Sequence, residues 1–247
     1  DLVVLDEADA FPYQGSRMLH YAVRRASTTR GKVIYMTATP DRALLSRAQR
    51  GEMRLVRIPA RPHGCPLPEP TIVLEKLPSQ PVHPDGAGSR WEAPRKVWDI
   101  LRDSVMRRGL QTFVFVPTVR LAEVVGMALR RGPFEVEFSH SKDPQRNGKR
   151  ERFKQGDFPV FVTTTIMERG ITAPLAEVMV LYADYEPNFD ERALIQMAGR
   201  AGRSPECPAG RVWFVARRVT ASMRLASKVI CEMNDEARRR GYLRPGL

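Results

Sequence analysis

Two carboxylates, Asp6 and Glu7, close an apolar run, LVVL, and a third, Asp9, follows shortly after. An apolar strand that ends in acidic residues puts them at its carboxyl end, where open α/β sheets bind ligands. There Asp6 suits a Mg²⁺ held through its water shell, and Glu7 suits orienting or deprotonating an attacking water, as phosphoryl chemistry requires. Acidic residues after a strand also serve as ordinary helix N-termini, so the neighbouring clusters must decide. IYMTATPD places Thr37 and Thr39 after a second apolar run, beside the first at the same sheet edge. It equally satisfies a turn in which Pro40 opens a helix.

Two clusters in the second half extend this chemistry. PVFVTTTIMERGIT ends a strand with Thr163, Thr164 and Thr165, whose hydroxyls and turn amides could grip a nucleic-acid backbone without reading bases. A β-branched strand end explains the threonines without any ligand. QMAGRAGR ends a helical run with Gln196, Arg200 and Arg203, and Gly199 and Gly202 let the backbone pass close to a ligand. Arginines offered by one domain to a triphosphate held on another would stabilise charge developing on the transferred phosphoryl group. The competing reading is a basic, glycine-containing helix cap.

The elements that must position these residues alternate. In residues 1–58, short apolar runs (2–5, 33–36, 53–58) alternate with longer amphipathic or charged stretches, too few to close a core. Residues 59–94 are rich in proline and glycine and read as a connector, in which TIVLEKL makes one strand. From 95 to 247 five strands are separated mainly by helices, a complete doubly wound parallel sheet. The 247 residues are 43% hydrophobic, enough for a packed core, and 40 basic against 28 acidic residues give a net charge of +12. Such a surplus favours a polyanionic partner such as nucleic acid. Cys65, Cys207 and Cys231 are too few and scattered for a zinc site or disulfide framework, which suggests a reducing setting. No apolar stretch approaches a bilayer span, so membrane insertion is not expected.

In order, LDEAD, TATP, FVFVPT, TTTIMERGIT and QMAGRAGR resemble motifs II to VI of the superfamily 2 helicases and translocases and span nearly the whole chain. Within that superfamily, DEADAFPY, IYMTATP, TTTIMERGIT and AGRAGRS are similar to the ComFA family, ATPases that help Gram-positive bacteria take up single-stranded DNA. The resemblance implies an α/β RecA-like fold: a complete C-terminal helicase domain and part of an N-terminal one. It also implies ATP and Mg²⁺ as cofactors. Asp6 and Glu7 would be the metal-associated and catalytic carboxylates; Asp9 would tie them to Thr37, with Thr39 beside it. Gln196, Arg200 and Arg203 would face the nucleotide, as would Gly170 and Thr172, while Thr118, His140, Thr163 and Thr164 would touch the DNA backbone.

The family's phosphate-gripping loop, GxxxxGK[ST], and its zinc-binding cysteines have no counterpart in these residues. The expectation is therefore a truncated chain, itself inactive as an ATPase and without zinc, from a parent that binds and hydrolyses ATP. Implied partners are single-stranded DNA, ComFC, DprA and the uptake channel, at the cytoplasmic side of the membrane. Three rival readings stand: a primosomal-type helicase, an RNA-remodelling DEAD-box ATPase, and a non-catalytic nucleic-acid or partner-binding module. The second is weakened by a motif V lacking an Asp after the first Thr pair and by a motif VI without its leading histidine.

Overall fold

In the computed structural model the described residues are 1–8, 13, 15–28, 30–78, 91–164, 176–203 and 210–244. The chain divides into two compact units, residues 1–57 and 58–247. The first unit pairs β1 (Leu2–Leu5) in parallel with β2 (Lys32–Tyr35), Leu2 opposite Lys32 and Leu5 opposite Tyr35. Between them runs α1 (Arg17–Ala26), whose N-cap Ser16 accepts from the Leu19 amide at 3.3 Å. After β2 comes α2 (Arg42–Gln49), capped by Asp41, whose Oδ1 accepts from Leu44 N at 2.7 Å. Neither helix has a buried residue. The apolar run 53–58 forms no strand: no described neighbour offers it a ladder, and Val56 and Ile58 stay exposed.

The second unit is built on a six-stranded, all-parallel sheet in the order β3-β8-β7-β4-β6-β5. The strands are β3 (Pro70–Leu74), β4 (Gln111–Val116), β5 (Val136–Ser139), β6 (Val160–Thr164), β7 (Ala176–Leu181) and β8 (Val212–Ala216). The strand expected within the proline-rich stretch is β3, and it joins this sheet at its edge beside β8, where a strand beginning with proline loses no ladder bond.

Period-two alternation divides the strand side chains between two cores. Phe113, Phe115, Val178, Val180, Phe214 and Ala216 enter one; Val114, Val116, Met179, Leu181 and Val215 enter the other. The first is covered by α5 (Arg146–Gln155), α6 (Glu191–Ala198) and α7 (Ala221–Arg239), through Phe153, Leu194, Met197, Met223 and Ile230. The second is covered by α3 (Arg95–Arg102) and α4 (Val119–Leu129), through Val97, Leu101, Leu121, Val125 and Leu129. Helices on both faces of a parallel sheet make the doubly wound α/β fold read from the sequence. The helix expected over 95–108 passes into a π-helical turn at Asp103–Arg107.

The residues leading into β3 are fastened to α7. Buried Asn234 accepts from Leu67 N (2.8 Å) and donates to Leu67 O (3.0 Å) and Glu69 Oε1 (2.9 Å). Asn234→Ala strands these groups in a buried setting and is expected to cost about 2–3 kcal/mol, measured by urea unfolding.

Candidate functional site

In the first unit the pairing of β1 and β2 continues past the strand ends. Met36 N donates to Leu5 O at 2.8 Å and Ala8 N to Met36 O at 3.0 Å, which sets Asp6 and Glu7 alongside Met36 and Thr37. The sequence expectation that both polar clusters lie at one sheet edge is met there. Asp6 Oδ1 accepts from Glu7 N at 2.8 Å, and Glu7 adopts φ 51°, a left-handed conformation rare outside glycine. Both carboxylates are exposed. Thr37 Oγ1 accepts from Thr39 N at 3.0 Å, closing a hydroxyl-stabilised turn around the half-buried Thr37 and buried Thr39. Two adjacent exposed carboxylates at a strand end, one oxygen held by a backbone amide, fit a Mg²⁺ that keeps most of its waters. Among the described residues no cluster of three or more His, Cys, Asp or Glu could hold a metal ion. Asp9 lies outside the described residues.

In the second unit the candidates separate to opposite edges of the sheet. At the carboxyl edge, Thr118 is the N-cap of α4, its Oγ1 accepting from Leu121 N at 3.2 Å, so the hydroxyl hydrogen remains for a phosphate oxygen. The preceding turn is pinned by Asn188 Nδ2, which donates to Pro117 O at 2.6 Å. Three expectations need correction. Thr163 and Thr164 are 0% and 4% exposed, because β6 is an interior strand with both faces covered; the β-branched strand end accounts for them. His140 is engaged at both nitrogens: Lys142 N donates to Nδ1 at 3.3 Å, and Nε2 faces Glu123 Oε1 at 3.2 Å, leaving none for a backbone phosphate. Gly170 and Thr172 lie outside the described residues.

At the amino edge, α6 buries Leu194, Met197 and Ala198 and ends at Gly199. The chain then turns tightly. Arg200 N donates to Met197 O (3.0 Å), Ala201 N to Ala198 O (3.2 Å), and Gly202 N to Ala176 O (3.2 Å), which docks the turn on the first residue of β7. Gly202 has φ 60°, and Gly210 lies so close to the Gly202 backbone that no Cβ fits between them. These are the positions where glycine is obligatory. Gln196 and Arg200 are half-buried, and the exposed Arg203 folds back so that its Nε donates to Gly199 O at 2.8 Å. Helix α6 runs antiparallel to the strands, so its end lies a full strand length, about 17–20 Å, from the Thr118 edge.

A residue without a sequence signal completes this turn. Arg61, in the stretch read as connector, donates through Nη1 to Ala201 O (2.6 Å) and Gly202 O, and through Nη2 to Gly199 O (3.2 Å). Burial, and then the nearby Arg203 charge, draw its pKa down to about 10. An arginine in a proline-rich run has no periodicity to betray it, and its partners are some 140 residues distant.

Residues 94–205 match the helicase conserved C-terminal domain. The chain is 36% identical over 242 residues to the competence protein ComFA of Bacillus subtilis, an alignment that covers 96% of this chain and 50% of that protein. It is 31% identical over 244 residues to ComFA of Streptococcus pneumoniae, covering 96% and 54%. The chain thus spans about half the length of these curated relatives. Among solved structures, S. cerevisiae Dbp5 bound to RNA and ADP BeF3 superposes with a TM-score of 0.59 at 17% identity, covering 99% of this chain and 63% of that one. The fold is RecA-like, and the chain is similar to the superfamily 2 helicases. Within them it is similar to ComFA over nearly all of its length. No helix among the described residues is long and apolar enough to cross a membrane.

Proposed function

We propose that the full-length protein is an ATP-dependent translocase on single-stranded DNA that serves DNA uptake, as the names of its ComFA relatives suggest. The observation that carries this reading is the turn Gly199–Arg203, tied to β7 and to Arg61, which carries Arg200 and Arg203 three residues apart; no described carboxylate is bonded to Arg203. In this reading Asp6 would hold Mg²⁺ through water, and Glu7 orients the attacking water. Asp9 and Thr37 couple that carboxylate pair to the rest of the motor, with Thr39 holding the turn. Arg200 and Arg203, with Gln196 nearby, offset charge on a transferred phosphoryl group; Gly170 and Thr172 border the nucleotide. Bound Mg²⁺ would supply the neutralisation of phosphate charge that the carboxylates cannot.

The DNA backbone is met at the carboxyl edge of the second unit, where the Thr118 hydroxyl is the best-placed of the candidates. The net charge of +12 supports a polyanionic ligand. ComFC, DprA and the uptake channel at the cytoplasmic face of the membrane are the corresponding protein partners. Comparing ATP turnover of the full-length protein with single-stranded DNA and with RNA tests the assignment: stimulation by DNA is expected, and stimulation by RNA alone would move the protein to the RNA-remodelling class. Backbone contact also predicts affinity that is indifferent to sequence and falls on the order of 10- to 100-fold between 50 and 200 mM salt, measured by fluorescence anisotropy on oligonucleotides of different sequence.

A further inference from the structure

We propose that Arg61 is a positioning residue for the arginine turn, its guanidinium fixing the backbone from which Arg200 and Arg203 project by bridging the carbonyls of Gly199, Ala201 and Gly202. The inference rests on the reading that those two arginines act on ATP, and it adds the element that holds them in place.

The carbonyls at the end of a helix have no partners within it, and the final turn is free to unwind unless something satisfies them. At the end of α6 the amides of Gly199, Arg200 and Ala201 take those of Ile195, Met197 and Ala198, and the carbonyls that follow, at positions 199, 201 and 202, are reached by one planar fork that spans the turn. A guanidinium suits this because its donors are fixed in one plane, whereas an ammonium is a point charge on a flexible stem. The base of Arg61 is equally well held. Gly64 N donates to Arg61 O at 2.9 Å, and Arg244 N donates to Gly64 O at 2.8 Å. Cys65 N donates to His63 Nδ1 at 3.2 Å, and Leu67 is clasped by Asn234. Arg61 is thus a strut between a braced segment and the turn.

A plain helix cap would account for one such cation. It does not account for the second: Arg203 Nε donates to the same Gly199 oxygen that Arg61 Nη2 uses, so two like charges converge on one acceptor. Their repulsion opposes the arrangement, and both guanidiniums lose hydration, the more so at Arg61. A fold selected only for stability has cheaper caps, such as a neutral one. The shared acceptor instead links the direction of Arg203 to the position of Arg61. Arg61 also stands three residues after Ile58, where the second unit begins, so the chain that joins the units leads directly into the strut.

The test uses DNA-stimulated ATP turnover by the full-length protein in four forms: Arg61→Ala, Arg203→Ala, the double variant and Arg61→Lys. Expected are a tenfold or larger fall in kcat for Arg61→Ala with KM for ATP changed less than about twofold, unchanged single-stranded DNA affinity, and, when Arg61→Ala is added to Arg203→Ala, a loss smaller than in the wild-type background because only Arg200 is left to misplace. Arg61→Lys keeps a cation in the buried position and with it the fold, and is expected to show the same kcat loss, so the test survives if the alanine variant does not fold. Unchanged kcat in the lysine variant, a full additional loss in the Arg203→Ala background, or loss of DNA binding together with kcat would overturn the proposal. If Arg203→Ala itself turns over ATP normally, it is the ATPase reading that fails, and Arg61 loses its role with it.

Discussion

Replacing Glu7 by glutamine in the full-length protein is expected to lower DNA-stimulated ATP hydrolysis by about 10²- to 10⁴-fold, the range for losing a positioned general base. The substitution keeps size and hydrogen-bonding capacity and removes only the charge. Because Glu7 is exposed, stability should change little. Its backbone sits at φ 51°, a conformation that asparagine and aspartate tolerate better, yet the chain places a glutamate there. Strain of this kind concentrates at functional sites. The neighbouring Asp6 has one oxygen occupied by the Glu7 amide, so the local turn presents the Glu7 side chain outward at the end of β1. Phosphate release measured alongside equilibrium nucleotide binding separates the outcomes: lost turnover with retained binding is expected. Full turnover by the Glu7→Gln protein would remove Glu7 from its catalytic role.

Arg203→Ala should have the larger effect, about 10³- to 10⁵-fold on kcat, the range for arginines that complete a phosphoryl-transfer site from outside the nucleotide-binding residues. Arg203 is the better probe of the pair because its contact is simple: Nε is held by Gly199 O, which leaves the outer nitrogens directed elsewhere. Lysine cannot reproduce a donor held at Nε together with two more at the tip, so Arg203→Lys should rescue little. Single-stranded DNA affinity should be preserved, because the Thr118 edge lies a strand length from the turn. A parallel loss of DNA affinity and kcat would place the arginine in nucleic-acid binding instead.

Much of the architecture was legible beforehand because it follows from short-range periodicity. The alternation in TFVFV and EVMVL reports two buried faces, and the helical stretches between them require a parallel sheet; both cores appear as this pattern implies. Gly202 was legible for a local reason too, since a residue at positive φ after a helix end selects glycine. Elsewhere the local pattern misled. MRLVRI has the composition of a strand and pairs with no described strand. Thr163 and Thr164 resemble ligand-facing hydroxyls, yet β6 lies inside the sheet. His140 has its capacity consumed by Glu123 and Lys142, and only packing reveals that.

The order of chemical types along the chain therefore determined by itself the class of fold, the sheet's two-sided burial and the identity of the phosphoryl-transfer candidates. Each of these is written in residues that are neighbours in sequence or repeat at a fixed interval. Tertiary structure alone decided which hydroxyls reach the surface, that the arginines and Thr118 occupy opposite edges of the sheet, and that Arg61 grips the arginine turn. These depend on strand order and on hydrogen bonds closed across some 140 residues, and no local preference encodes a partner at that distance.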